Sequence, residues 1–279
     1  MDIVVLACLG VPGRTHREVD RACVLARSLE RFLNTEEDWI IRVVADDHEL
    51  DEVRRVLQPF RLDFRFHAHS EFLADFPQGI GWRKQQFLKL LVARRVESPF
   101  YLSIDCDHLL TRPLSHFDLV VGGRSVVTPE PRAHHEGWWD GPSEILEMPR
   151  VGEVAITISC VCMATEAALG LLDRLEALYG DGWVDVLLDR QDWVDYSLYY
   201  TYASAVDPAG KYHADGPLLG VGESIWSVED IPGWSAAAAF CGPHHFVCLQ
   251  SNTNLSLDLI HELTAPYLGP WDAGPSPQA

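Results

Sequence analysis

The chain has 279 residues, 47% of them apolar, and a formal net charge of −19. That length and composition allow a sizeable buried core, while the acidity excludes an extended nucleic-acid phosphate backbone as a partner. Seven scattered cysteines suggest neither a disulfide framework nor a zinc site, so a reduced, cytoplasmic protein is expected.

The opening DIVVLACLG reads as a buried strand, too short for a membrane span and lacking the basic start of a signal peptide. After a Gly/Pro loop, Val19, Cys23, Ala26, Leu29 and Leu33 recur at helical spacing. WIIRVVADD is a second strand ending in Asp46 and Asp47, and LDFRFHAH a third. Residues 81–96 form a helix and PFYLSIDCD the next strand. Strand alternating with helix predicts a parallel sheet in an α/β fold. Beyond Asp107 the pattern loosens. RSVVTPEP and VAITISCVCMA read as strands, TEAALGLLDRLEALYG and RQDWVDYSLYYTYA as helices, and HFVCLQS as a late strand. With no internal repeat or linker, one domain is expected over 1–265, with a nucleotide-binding half at 1–107 and an acceptor half at 108–265. The Pro/Gly/Ser ending makes 266–279 a flexible tail.

Asp105 and Asp107 close a buried strand two residues apart, so strand alternation sends both side chains from one face. Two carboxylates this close repel unless a cation lies between them. All-oxygen ligands favour Mg²⁺ or Mn²⁺ over zinc. The alternative is an acidic turn with Asp107 as a helix cap.

The stretch GWRKQQFLKLLVARRVESPFYLSIDCDHLL resembles the core of a GT-A-fold glycosyltransferase. It is most similar to a bacterial group with a Trp-x-x-Gln-Gln-x-x-Lys-Leu helix before an Asp-x-Asp strand and a Trp-x-x-Glu-Tyr-x-Leu-Tyr helix after it. Those positions are Trp82, Gln85, Gln86, Lys89 and Leu90, then Trp193, Asp195, Tyr196, Leu198 and Tyr199, with Asp195 one carbon shorter than the group's Glu. The resemblance spans about residues 1–262. It implies a Rossmann-like, mixed but mostly parallel central sheet flanked by helices. It also implies a nucleotide-diphosphate sugar donor, a small-molecule or glycan acceptor, and Mn²⁺ or Mg²⁺ at Asp105 and Asp107. GT-A enzymes often complete the metal shell with a C-terminal histidine, which makes His244 or His245 a candidate. GT-A topology lays the nucleotide on the loop after the first strand, including Leu9, Gly10 and Arg14, and beside Asp46 or Asp47.

The residues themselves support separate roles. On the 81–96 helix Phe87, Leu88, Leu90 and Leu91 share one arc, and Trp82, Gln85, Gln86 and Lys89 the opposite one. Two amides, a lysine and an indole can bind a sugar or offset phosphate charge, or merely form a solvated face. The chain has only Lys84, Lys89 and Lys211, which makes Lys89 notable there. Asp192, Asp195, Tyr196 and Tyr199 fall at one helical face. An inverting transfer needs a carboxylate to take the acceptor's proton, with Asp195 the first candidate and Asp192 the second. Asp192 can instead simply suit a helix start. Trp138 and Trp139 either stack on an acceptor ring or pin a loop to the core, and the anchor is preferred. Two other functions use similar features: a haloacid-dehalogenase-like phosphatase built on the Asp-x-Asp, and a non-catalytic sugar-nucleotide-binding module. The phosphatase motif normally opens its domain, whereas here it follows three strands.

Overall fold

A strand covered on both faces needs an unbroken apolar run, and β1 (Asp2–Leu6, DIVVL) is buried from end to end. The computed structural model describes residues 1–6, 18–74, 76, 81–156, 160–207, 210–216, 222–253 and 255–270. The expected alternation continues through α1 (Glu18–Phe32), β2 (Ile40–Ala45), α2 (Leu50–Leu57), β3 (Asp63–Ala68), α3 (Gly81–Leu91) and β4 (Phe100–Asp105). A looser stretch holds β5 (His108–Leu110), α4 (His116–Leu119), β6 (Val120–Val121), β7 (Arg124–Val127), β8 (Pro129–Pro131), α5 (Glu136–Trp139), α6 (Gly141–Leu146) and β9 (Val154–Ile156). It leads to β10 (Val161–Ala164), α7 (Thr165–Tyr179), α8 (Trp183–Leu188), α9 (Asp195–Val206) and β11 (His213–Asp215). Last come α10 (Ala236–Cys241), β12 (Phe246–Cys248) and α11 (Leu257–Leu268).

The central sheet runs β10-β4-β1-β2-β3. β1 is parallel to both β2 and β4, β2 is parallel to β3, and β10 is antiparallel to β4. It is the mixed, mostly parallel sheet flanked by helices that the resemblance implies. Chain order reverses between β1 and β4, and ligands bind outside the carboxyl ends of parallel strands at such a switch point. Leu6 stands opposite Asp105 in that register, so the switch point lies at the foot of the Asp-x-Asp.

Strand alternation divides the core in two. Ile3, Val5, Leu102 and Ile104 pack with Leu25 and Leu29 of α1 and Val53 of α2. Val4, Leu6 and Tyr101 pack on the other face with Phe87, Leu90 and Leu91 of α3, Leu171 of α7 and Tyr199 of α9. Asp105, four residues after Tyr101, therefore emerges on the face covered by α3 and α9.

Several boundaries differ from the expected ones. α3 ends at Leu91 and continues only as a tight turn over Val92–Arg95. β4 ends at Asp105, so Asp107 lies in the turn before β5 and alternation no longer governs it. α9 begins at Asp195, because Ser197 bonds both backbone groups of Val194, and Asp192 falls outside the helix. α11 runs to Leu268, beyond the expected boundary at 265; Leu268 is buried and its carbonyl accepts from Arg27 Nε at 3.0 Å. The rest of the expected tail, 271–279, lies outside the described residues. Among the described residues no helix is long and apolar enough to cross a membrane.

Candidate active site

A cleft of about 540 Å³ opens where β4, α3 and α9 meet, and Gln86, Lys89, Asp105 and Asp195 all line it. Lys89 is only 2% exposed, and its Nζ lies 3.0 Å from both carboxylate oxygens of Asp105. The Tyr196 ring lies beneath the ammonium at 4.9 Å, and Tyr101 donates to the Lys89 carbonyl at 3.0 Å. Burial alone would push Lys89 down, but Asp105, then Tyr196 and Asp195, hold it well above the ordinary lysine range. The cation beside Asp105 is a lysine.

Gln86 joins the two helices. Its Oε1 accepts from the Asp195 backbone amide at 3.1 Å, and its Nε2 donates to the Trp82 carbonyl at 3.4 Å. Asp195 is 1% exposed, and its Oδ2 is buried without a hydrogen-bond partner. Burial, reinforced by Asp105 and opposed by Lys89, raises its carboxyl to about 7. A carboxyl poised there serves as a base near neutrality.

Asp107 faces another set of groups. Its Oδ2 accepts from the Ser251 amide at 3.0 Å, and its Oδ1 lies 3.1 Å from His108 Nδ1. Burial opposes its charge, yet His108, the Ser251 amide and Arg21 hold its carboxyl below the usual range. The antiparallel pairing of β5 with β12 sets Cys248 opposite His108. Ligand atoms of Asp107, His108 and Cys248 all lie within 4.8 Å of one another, and all three residues are buried. This set could hold a divalent ion once His108, kept in its charged range by its neighbours, and the Cys248 thiol, pushed up to about 12 by burial, lose their protons. It offers one oxygen, one nitrogen and one sulfur instead of oxygens alone. His244 and His245 are not part of it. The His245 carbonyl accepts from the Thr111 amide at the other end of the β5–β12 ribbon, three residues from Cys248, or roughly 10 Å along a strand. His244 packs against Gly222. Cys248 and His108 carry no signal in the sequence, because only the long-range register of β12 on β5 brings them together.

At the ends of β2 and β3, His69 Nδ1 lies 3.1 Å from Asp46 Oδ1 and 2.8 Å from Asp47 Oδ2. Lys84 reaches Asp46 Oδ1 at 2.7 Å, which gives that lysine a definite place. Asp46 and Asp47 thus share a polar cluster away from the Asp105 cleft lining. Leu9, Gly10 and Arg14 lie outside the described residues. Gln85 is half-buried and does not line the cleft. Asp192 also lies outside the lining: Arg190 binds it through Nε at 2.9 Å, and its backbone carbonyl accepts from Gly141. A Cβ on Gly141 would meet the Asp192 carboxylate at 2.5 Å, so a structural role accounts for this residue.

The Trp pair divides between its two possible roles. Trp139 is 2% exposed and packs edge-on against Tyr200, whereas Trp138 lines the cleft with Trp82, Trp226, His135 and Glu130.

A family model described as "Family of unknown function (DUF6492)" matches residues 2–270. No curated protein sequence matches the chain. Among solved structures, mouse xyloside xylosyltransferase 1 in its apo form is similar at a TM-score of 0.53 and 16% identity, covering 91% of this chain and 99% of the other. Galactosyltransferase LgtC, solved with donor and acceptor sugar analogues, is similar at a TM-score of 0.54 and 15% identity, covering 96% of each chain. At these identities the likeness is one of fold, and the fold is GT-A-like.

Proposed function

The chain belongs to the DUF6492 family, whose function is unknown, and from that premise we propose that it is a glycosyltransferase, moving a sugar from a nucleotide-diphosphate sugar to a hydroxyl or amine acceptor. One observation carries this reading. A single cleft at the carboxyl end of a GT-A-like sheet holds a strand-end aspartate, a buried lysine and a second aspartate titrating at about 7.

Each residue has a task in that chemistry. Departure of a nucleoside diphosphate builds negative charge, and Lys89, fixed by Asp105, is a preorganised cation to offset it. Gln86 fixes the start of α9 and so orients Asp195 toward the cleft. Asp195 in its deprotonated form takes the acceptor's proton. A base of this kind serves direct displacement, so inversion at the anomeric carbon goes with the assignment. Asp107, His108 and Cys248 would hold the divalent ion, whose chemistry is to neutralise charge on the diphosphate. Of the two ions expected, Mn²⁺ suits a mixed donor set better than Mg²⁺, which demands an oxygen octahedron.

A screen of UDP-, GDP-, ADP- and dTDP-sugars with Mn²⁺ tests the proposal. The expected result is thermal stabilisation by at least one donor, with slow release of free sugar. Neither stabilisation nor release across the set would overturn it.

A further inference from the structure

Large apolar side chains left open to water mark binding surfaces when they cluster. Trp82 is 46% exposed and Trp226 49%, and both line the cleft that holds Asp195. Trp138 stands beside them, with its ring 6.1 Å from that of Trp82 and stacked on His135 at 5.2 Å and 15°. Three indoles thus face one space, although the core had room for Trp139 from the same Trp-Trp pair. Flat faces alone would suit any apolar ring. Glu130, on β8 in the same lining, adds a carboxylate oxygen that is buried and makes no hydrogen bond.

We infer that this aromatic wall is the acceptor subsite and that it takes the pyranose ring of an uncharged glycoside. This rests on the transfer reading above. A pyranose presents an apolar C–H face, which stacks on indoles, and a rim of hydroxyls, which donate to a carboxylate held at the edge. Charge narrows the class further. Among the indoles the charged neighbour is Glu130, whereas the lysine and His108 of the lining stand beside Asp105 and Asp107 and are committed to the donor's diphosphate. A phosphorylated or carboxylated acceptor would be repelled. A nucleobase would satisfy the indoles but has no ring of hydroxyl donors for Glu130.

The test is saturation-transfer NMR on the full chain. Methyl glucoside, methyl galactoside and lactose are the probes, with glucose 6-phosphate and adenosine as competitors of other chemistry. Transfer to the ring C–H protons of at least one neutral glycoside is expected. Trp226→Ala and Trp138→Ala should each weaken that binding roughly fivefold or more, as loss of a stacking face implies. Tighter binding of glucose 6-phosphate, displacement of the glycoside by adenosine, or glycoside binding unchanged in both variants would overturn the inference. Titration of nucleotide sugars into the same wild-type sample separates the two ideas. If donors bind and no glycoside does, the acceptor inference falls while the transfer reading stands. If glycosides bind and no donor does, the transfer reading falls and the acceptor role falls with it.

Discussion

Burying an ammonium is tolerable only beside a compensating carboxylate, and Lys89 meets that condition through Asp105. Removing the acid strands the charge. Asp105→Ala is therefore expected to lose activity and also roughly 3 kcal/mol or more of stability. The double variant Lys89→Met/Asp105→Asn should regain most of that stability and none of the activity. Urea unfolding of the three proteins checks this, and a single variant as stable as wild type would count against it. Asp195 behaves in the opposite way. Its carboxyl is raised from the ordinary range near 3.8 to about 7, so in that interval the folded protein keeps a proton the unfolded chain has released. Stability therefore falls as pH climbs through the interval. Asp195→Asn removes that loss and should melt higher than wild type above pH 7, with the gap closing as pH falls toward 3.8. Its rate should drop roughly a hundredfold. Asp192→Asn, which weakens the Arg190 pair outside the cleft lining, should keep activity near wild type. A larger rate loss at Asp192 than at Asp195 would reverse their roles.

At the scale of elements, local pattern was legible and long-range register was not. The apolar arc of Phe87, Leu88, Leu90 and Leu91 is buried as read, and Gln86 and Lys89 share the cleft as the opposite arc implied. Gln86 and Lys89 are as buried as the apolar arc, because α9 covers them, and nothing local reveals that cover. Alternation ends with β4 at Asp105, so Asp107, in the following turn, faces Ser251 and His108 and not the cleft side that Asp105 occupies. The histidines before β12 were visible as residues, yet the pairing of Cys248 with His108 decides which side chain reaches Asp107. This leads to a metal prediction. Mn²⁺ should raise the melting temperature, and Cys248→Ser should weaken that response more than His244→Ala does. Equal or larger loss in His244→Ala would remove Cys248 from the ligand set. The Trp pair gives a packing prediction from the same looser stretch. Trp139→Ala opens a cavity in the core and should cost about 3–5 kcal/mol. Trp138→Ala, at the cleft, should cost less than about 1 kcal/mol in the same unfolding experiment.

Over the whole molecule, the alternating residues up to Asp105 specify the four parallel strands β4-β1-β2-β3 well enough to locate the switch point beside Asp105, and β10 joins their edge from the second half. The second half supplies what the sheet lacks: α9 brings Asp195, β12 brings Cys248, and the stretch around α5 brings Trp138. These pieces come from distant parts of the chain, which is why the sequence pointed to the kind of site more readily than to its members. The central claim is that Asp195 is the base of a donor-dependent sugar transfer. The most direct measurement is the pH dependence of kcat/KM for nucleoside diphosphate release from the donor found by screening, in wild type and Asp195→Asn. The wild-type rate should rise with pH through a midpoint near 7 and then level, and the variant should be slow and without that rise. A wild-type profile flat across that range, or the same rising limb in Asp195→Asn, would contradict the claim.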